Sequence, residues 1–303
     1  MEWMSRPNPY SGLGGTPVDI PDFVTIDDVP ERSGPVVHLG VGAKGPVSVD
    51  LDSESPHILV NAPTGLGKSA VARSIAVQRL SAGDVAVILD VKMHSHKWAR
   101  KLSPIVHYAD THTEVGRSLV NLGMELHRRN QVVRDHEGPG EPDVGPRVIV
   151  LFEETNATLS RLAELDRSVA PGGYKALDAF RDVMFMGRAV KIHMIGFAQL
   201  ASYRSGLTAD VLENFATRVM IGYSDKAWRW LASDCGKYRV APTGTGRGMV
   251  CRAGKPTEGQ LVWMPEESAQ EFVTASVPAQ RRARELSGGR RALPDVWRAA
   301  VGR

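Results

Sequence analysis

Apolar positions along the chain fall into short continuous runs separated by amphipathic stretches. The runs "HILVN" (57–61), "VAVIL" (85–89), "VIVLF" (148–152) and "IHMIGFA" (192–198) have the length and β-branched content of strands buried on both faces. Between the first two the spacing changes. Ala70, Val71, Ile75, Ala76, Val77 and Leu80 recur at helical intervals, and Gly83 supplies a stop. Further on, the pattern predicts a polar helical segment around "SHKWARKL", a strand "PIVHYA", a long amphipathic helix from about Thr113 to Asp135, and helices up to about Val190. The alternating segments "PVVHLG" and "PVSVDL" predict a hairpin ahead of the first buried strand, and "TRVMIG", "GMVCR" and "QLVWM" predict strands after the last. "EGPGEPDVGP" (137–146) reads as an exposed loop.

This βα rhythm predicts an α/β fold: a mostly parallel central sheet with helices on both faces, a small N-terminal β-hairpin and closing antiparallel strands. Residues 1–34, rich in Pro, Gly and Asp without periodicity, read as an N-terminal arm or linker, 35–276 as the folded domain and 277–303 as a tail. No internal repeat is found. With 303 residues, 42% of them hydrophobic, the chain can bury the core of one large α/β domain. Its apolar runs are strand-sized, well below the roughly 20 residues of a bilayer span. The N-terminus lacks the apolar core of a secretory signal, so a cytoplasmic location is expected. Cys235 and Cys251 have no metal-like spacing and are expected to be reduced thiols. The net charge of +3 is unevenly spread: Arg281, Arg282, Arg284, Arg290, Arg291, Arg298 and Arg303 face only Glu285 and Asp295 across 278–303, so this tail carries about +5.

Candidate chemistry starts at "APTGLGKS" (62–69), set between a predicted strand and a predicted helix. A phosphate cradle needs backbone N–H groups converging at a helix N-terminus, a lysine for the outer phosphates and a hydroxyl for Mg²⁺. Thr64, Gly65, Leu66, Gly67, Lys68, Ser69 and Ala70 supply these in order. Ala62 stands where the usual pattern has its first glycine, which is acceptable if its φ stays negative. The partner of such a loop is an acid at the end of a neighbouring buried strand, and "VIVLFEE" ends in Glu153 and Glu154. Glu153 is expected to reach Mg²⁺ through a bound water, with Ser69 as the other metal contact, and Glu154 to activate the attacking water. Gln199, delivered to the same sheet edge by "IHMIGFAQ", can sense the γ-phosphate. Asp90 and Lys92 sit likewise after "VAVIL", either as further members of this edge or as the polar residues common at strand ends. Trp98, among Lys97, Arg100 and Lys101, suits either a contact with a backbone or neighbouring subunit or an amphipathic surface helix.

Taken in order, "HILVNAPTGLGKS", "VILDVK", "VIVLFEE", "GRAVKIHMIGFAQ" and "FATRVMIG" resemble the motor domain of FtsK/SpoIIIE-type DNA translocases over roughly residues 36–265. "FEETNAT" further resembles small FtsK-like transfer proteins of actinobacterial conjugative and integrative plasmids. The resemblance implies a RecA-like P-loop NTPase fold, ATP and Mg²⁺ as ligands, ATP bound between subunits of a hexameric ring, and double-stranded DNA drawn through its channel. It also implies that Arg188, in "GRAVKIHMI", enters a neighbour's nucleotide site, with Arg218 as the second candidate. The family's N-terminal membrane region and C-terminal winged-helix module are not expected here, so membrane attachment would come through a partner. The Arg-rich tail either neutralises DNA phosphates or is a solvated extension. The expected function is ATP-driven double-stranded DNA translocation in plasmid or phage DNA transfer. The alternatives are a secretion-type coupling ATPase that moves protein and a nucleotide-binding adaptor without turnover.

Overall fold

The computed structural model describes residues 19–30, 34–198 and 207–287, with side chains up to residue 276. The buried runs form the strands β3 (Ile58–Asn61), β4 (Val85–Leu89), β5 (Val106–Ala109), β6 (Val148–Phe152), β7 (Ile192–Ala198) and β8 (Thr217–Met220). These six are parallel, in the order β8-β3-β7-β6-β4-β5. The hairpin β1 (Val36–Gly42) and β2 (Gly45–Asp50) and the closing pair β9 (Arg247–Arg252) and β10 (Lys255–Leu261) extend the β8 side antiparallel, in the order β2-β1-β10-β9-β8. The expected mostly parallel α/β sheet, its hairpin and its antiparallel closure are thus all present. The outermost strands are β2, which contains Pro46, and β5, of four residues.

Because side chains alternate along a strand, each run feeds two cores. Val85, Val87 and Leu89 of β4, with Val148, Val150 and Phe152 of β6, pack against α2 (His112–Arg134), α3 (Thr155–Leu165) and α4 (Ala176–Met186). Ala86, Ile88, Ile149 and Leu151 point the other way, toward α1 (Lys68–Ser81) and α7 (Glu266–Ser287). Burying side chains of this size is worth about 1.5–3 kcal/mol each, so continuous runs commit these strands to the centre. Two short helices, α5 (Ala209–Asn214) and α6 (Asp225–Leu231), flank β8 and place Val211 and Trp228 in the first core.

Three features differ from the sequence expectation. Residues 24–29 are not loosely docked: Val24, Ile26 and Val29 are buried, and the Trp263 N–H donates to the Val24 carbonyl. Three apolar side chains at alternate or near-alternate positions outweigh the Pro and Asp around them. Trp98 is not on the surface, being only 5% exposed in the second core, while the flanking Arg100 and Lys101 face solvent. Its short 3₁₀ turn, Lys97–Lys101, buries the adjacent pair Trp98 and Ala99 and leaves the three basic residues outside. Finally, α7 is long and runs across residue 277, docking on α1 through Ala269 and Val273. Cys235 and Cys251 are free and buried, and burial pushes both thiols up from their ordinary pKa. Among the described residues, no helix is long and apolar enough to cross a membrane.

Candidate functional site

The C-terminal ends of β3, β4 and β6 meet at one edge of the sheet. There the chain leaves β3 through a clamp: the Ala62 N–H donates to Ala198 O, at the end of β7, and the Ile221 N–H, just past β8, donates to Asn61 O. Ala62 is fully buried and is not among the residues with positive φ, so its methyl group is accommodated as the sequence required. Gly65 and Gly67 take φ of 84° and 93°, a region that L side chains enter at a cost. Between them Leu66 leans on Gly222, where an added Cβ would lie 2.2 Å from a Leu66 methyl. The loop is thereby held against the turn that follows β8.

Gly67 is the N-cap of α1 and makes no side-chain cap, so the orphan N–H groups of the first turn remain available to an anion. Lys68 opens the helix and Ser69 follows, half-buried; Thr64, Gly65 and Leu66 are exposed. This cradle fits a polyphosphate. The Lys68 Nζ lies 2.7 Å from Glu154 Oε1, across from β6.

Glu153 and Glu154, adjacent in sequence, go opposite ways. Glu153 continues the sheet register, its N–H donating to Leu89 O, and its side chain points inward. It is buried against His96, with Nε2 and Oε1 2.9 Å apart. Glu154 adopts φ 46°, ψ 44° as the N-cap of α3, an uncommon conformation for a residue with a Cβ. This turn swings its carboxylate out toward Lys68. Thr155 then locks the corner, donating to Phe152 O at 2.7 Å and accepting from the Phe197 N–H. Glu153 is thus held by His96, a partner that lies 57 residues away in the sequence.

Lys92, which the sequence sets with Asp90 at the end of the "VAVIL" strand, also reaches the Glu154 carboxylate. Its Nζ lies 2.5 Å from the same Glu154 oxygen. The loop carrying it is stapled by Asp90, fully buried, which accepts from the Tyr108 hydroxyl at 2.6 Å and from the N–H groups of Lys92 and Ser95. Burial first, and the Asp90 carboxylate second, push the Tyr108 phenol well up, so it stays a donor. A polar pair two residues apart after a strand was the only sequence signal for Lys92. That β4 lies beside β6 could not be read from it.

The two arginines separate clearly. Arg188 is exposed and precedes β7, so it lies at the opposite end of the sheet from Glu154, away by the length of that seven-residue strand, roughly 20 Å. Arg218 is paired with Asp234 at 2.8 Å. Gln199 lies outside the described residues, as does most of the Arg-rich tail.

Neither a protein-family model nor a curated protein matches the sequence. Solved structures do. The pCW3 conjugation coupling protein TcpA, in a monomer form with ATPγS, aligns with a TM-score of 0.67 and 20% identity over 86% of this chain and 75% of its own. The cytoplasmic domain of the type VII secretion ATPase EccC from Thermomonospora curvata aligns with a TM-score of 0.61 and 19% identity over 82% of this chain and 32% of its own. The cytoplasmic domain of EssC gives a TM-score of 0.57 and 13% identity over 81% and 48%. The chain has the fold of these P-loop ATPases. The resemblance to FtsK-type motor domains is borne out at the level of fold, and the chain spans about a third of the EccC structure and about half of the EssC structure.

Proposed function

We propose that this chain is an ATP-hydrolysing motor subunit that moves double-stranded DNA in a conjugative or phage transfer system. The observation that carries this reading is the meeting of Lys68 and Glu154 at the mouth of a glycine cradle, on the sheet edge where open α/β folds collect ligands. It is supported by the likeness to TcpA, a conjugation coupling protein whose structure holds ATPγS. In this reading the N–H groups of residues 64–70 and the Lys68 ammonium hold the phosphates. Ser69 would hold Mg²⁺ through its hydroxyl and Glu153 through a bound water, and the ion would supply positive charge for the phosphates. His96 fixes the Glu153 carboxylate in place. Glu154 takes up a proton from the attacking water, and Gln199 senses the terminal phosphate.

Arg188 stands at the wrong end of its own subunit to serve this pocket, so any role in hydrolysis is toward the site of another copy. That fits ATP held between subunits of a ring, hexameric in the proposal, with the arginine stabilising charge that develops on the γ-phosphate. Arg218, already engaged by Asp234, is the weaker candidate. Membrane attachment would come through a partner protein, with the subunit itself working from the cytoplasm.

A second reading, of a secretion-type ATPase that moves protein, is favoured by the likeness to EccC. The deciding measurement is ATP hydrolysis by the purified chain with and without duplex DNA. Strong stimulation by duplex is expected. Hydrolysis indifferent to DNA would favour the secretion reading, and no hydrolysis under any condition would leave only a nucleotide-binding adaptor.

A further inference from the structure

Glu154 carries two cations on one oxygen. Lys68 Nζ is 2.7 Å and Lys92 Nζ 2.5 Å from its Oε1, and the carboxylate side chain is only 15% exposed. Exposed lysine–glutamate pairs contribute little and form opportunistically. This one is built. Asp90 fixes the Lys92 backbone through its N–H and fixes the far side of the same loop through Ser95. Met93, next to Lys92, and Glu154 both sit at positive φ, 64° and 46°, so the chain accepts uncommon backbone on both sides of the contact. Lys68, by contrast, belongs to the cradle, where a triphosphate competes for its ammonium.

We propose that Lys92 is a positioning residue that keeps Glu154 compensated when Lys68 turns from Glu154 to the phosphates. The proposal rests on the reading of this pocket as an ATP site. A carboxylate 85% buried beside an incoming polyanion is repelled less when a cation stays with it, and losing that cation is costly. Lys92 supplies that cation from a loop outside the cradle. In this proposal its effect on nucleotide affinity runs through Glu154.

Titration calorimetry with ATPγS and magnesium tests this through a double-mutant cycle. Lys92→Met is expected to weaken binding about tenfold, and Lys92→Arg to restore most of it. In a Glu154→Gln background no charge needs compensation, so Lys92→Met should change affinity by less than about twofold. A general folding defect would weaken binding equally in both backgrounds, and that result overturns the relay. Wild-type affinity in Lys92→Met overturns it as well. Either outcome leaves the ATP site standing provided the wild type binds and Lys68→Ala does not. Failure of the wild type to bind, or normal binding by Lys68→Ala, removes the site and the relay together.

Discussion

The two ends of the parallel strands are both crowded with charge, yet they are organised differently. At the N-terminal end, Arg79 pairs with Asp84 at 2.6 Å and donates to the Val36 carbonyl, and Arg147 pairs with Asp52 at 2.6 Å. His57, fully buried, accepts from the Met194 N–H at Nδ1 and donates from Nε2 to Met184 O. There two arginines share two aspartates, Asp84 lying near both, and the histidine is used at both nitrogens within the fold. At the C-terminal end, two lysines share one oxygen of Glu154, beside an uncapped helix N-terminus and an exposed glycine turn. The first arrangement joins two arginines to two aspartates; in the second, two lysines converge on a single carboxylate oxygen, while Glu153 and Asp90 beside them are held by His96 and Tyr108. Charge density alone is therefore the same cue at both ends, and what distinguishes the proposed site is two cations on one oxygen beside an exposed glycine turn.

The sharpest way to break this contrast is at the open end. Glu154→Gln is expected to lower turnover by about 10²–10⁴-fold while leaving nucleotide bound, and Lys68→Ala to abolish hydrolysis, both read by phosphate release under the condition of highest wild-type activity. Normal turnover in either variant would mean that the cluster is as structural as its counterpart. At the closed end, Arg79→Ala should cost about 3–5 kcal/mol in denaturant unfolding, because it leaves Asp84 buried without its main partner. Stability within about 1 kcal/mol of wild type would show that this network is as dispensable as exposed pairs are.

A smaller effect sharpens the same point through pH. Burial holds the His57 pKa down to about 4, and His193 is likewise held well below its ordinary range. The unfolded chain binds these protons near 6.5 and the folded chain does not, so stability is full above about pH 6.5 and falls as the pH drops toward 4. His57 alone should cost about 2 kcal/mol at pH 5, and thermal unfolding of His57→Gln should show a shallower decline over that window. An unchanged slope would mean that the imidazole takes its proton without loss of the fold.

The strands, the α1 boundaries and the cradle were legible because each rests on local pattern: β-branched runs, helical spacing, a glycine at either end of a helix. Roles within the site were less so. The order of Glu153 and Glu154 after the strand suggests different roles, and what sends their side chains apart is a single backbone conformation at residue 154. Lys92 and His96 are 62 and 57 residues away from their partners, joined only by the neighbouring of β4 and β6. Trp98 and the 24–29 segment went unread for a related reason: burial there is decided by what the rest of the chain lays over them.

The ends of the sheet carry a consequence for assembly. An unpaired strand is a template on which further chains can stack, and both margins here are poor templates: β5 offers only four residues, and β2 carries a proline that lacks an amide hydrogen. Among the described residues, these two margins thus give copies of the molecule little purchase for lateral ladder growth.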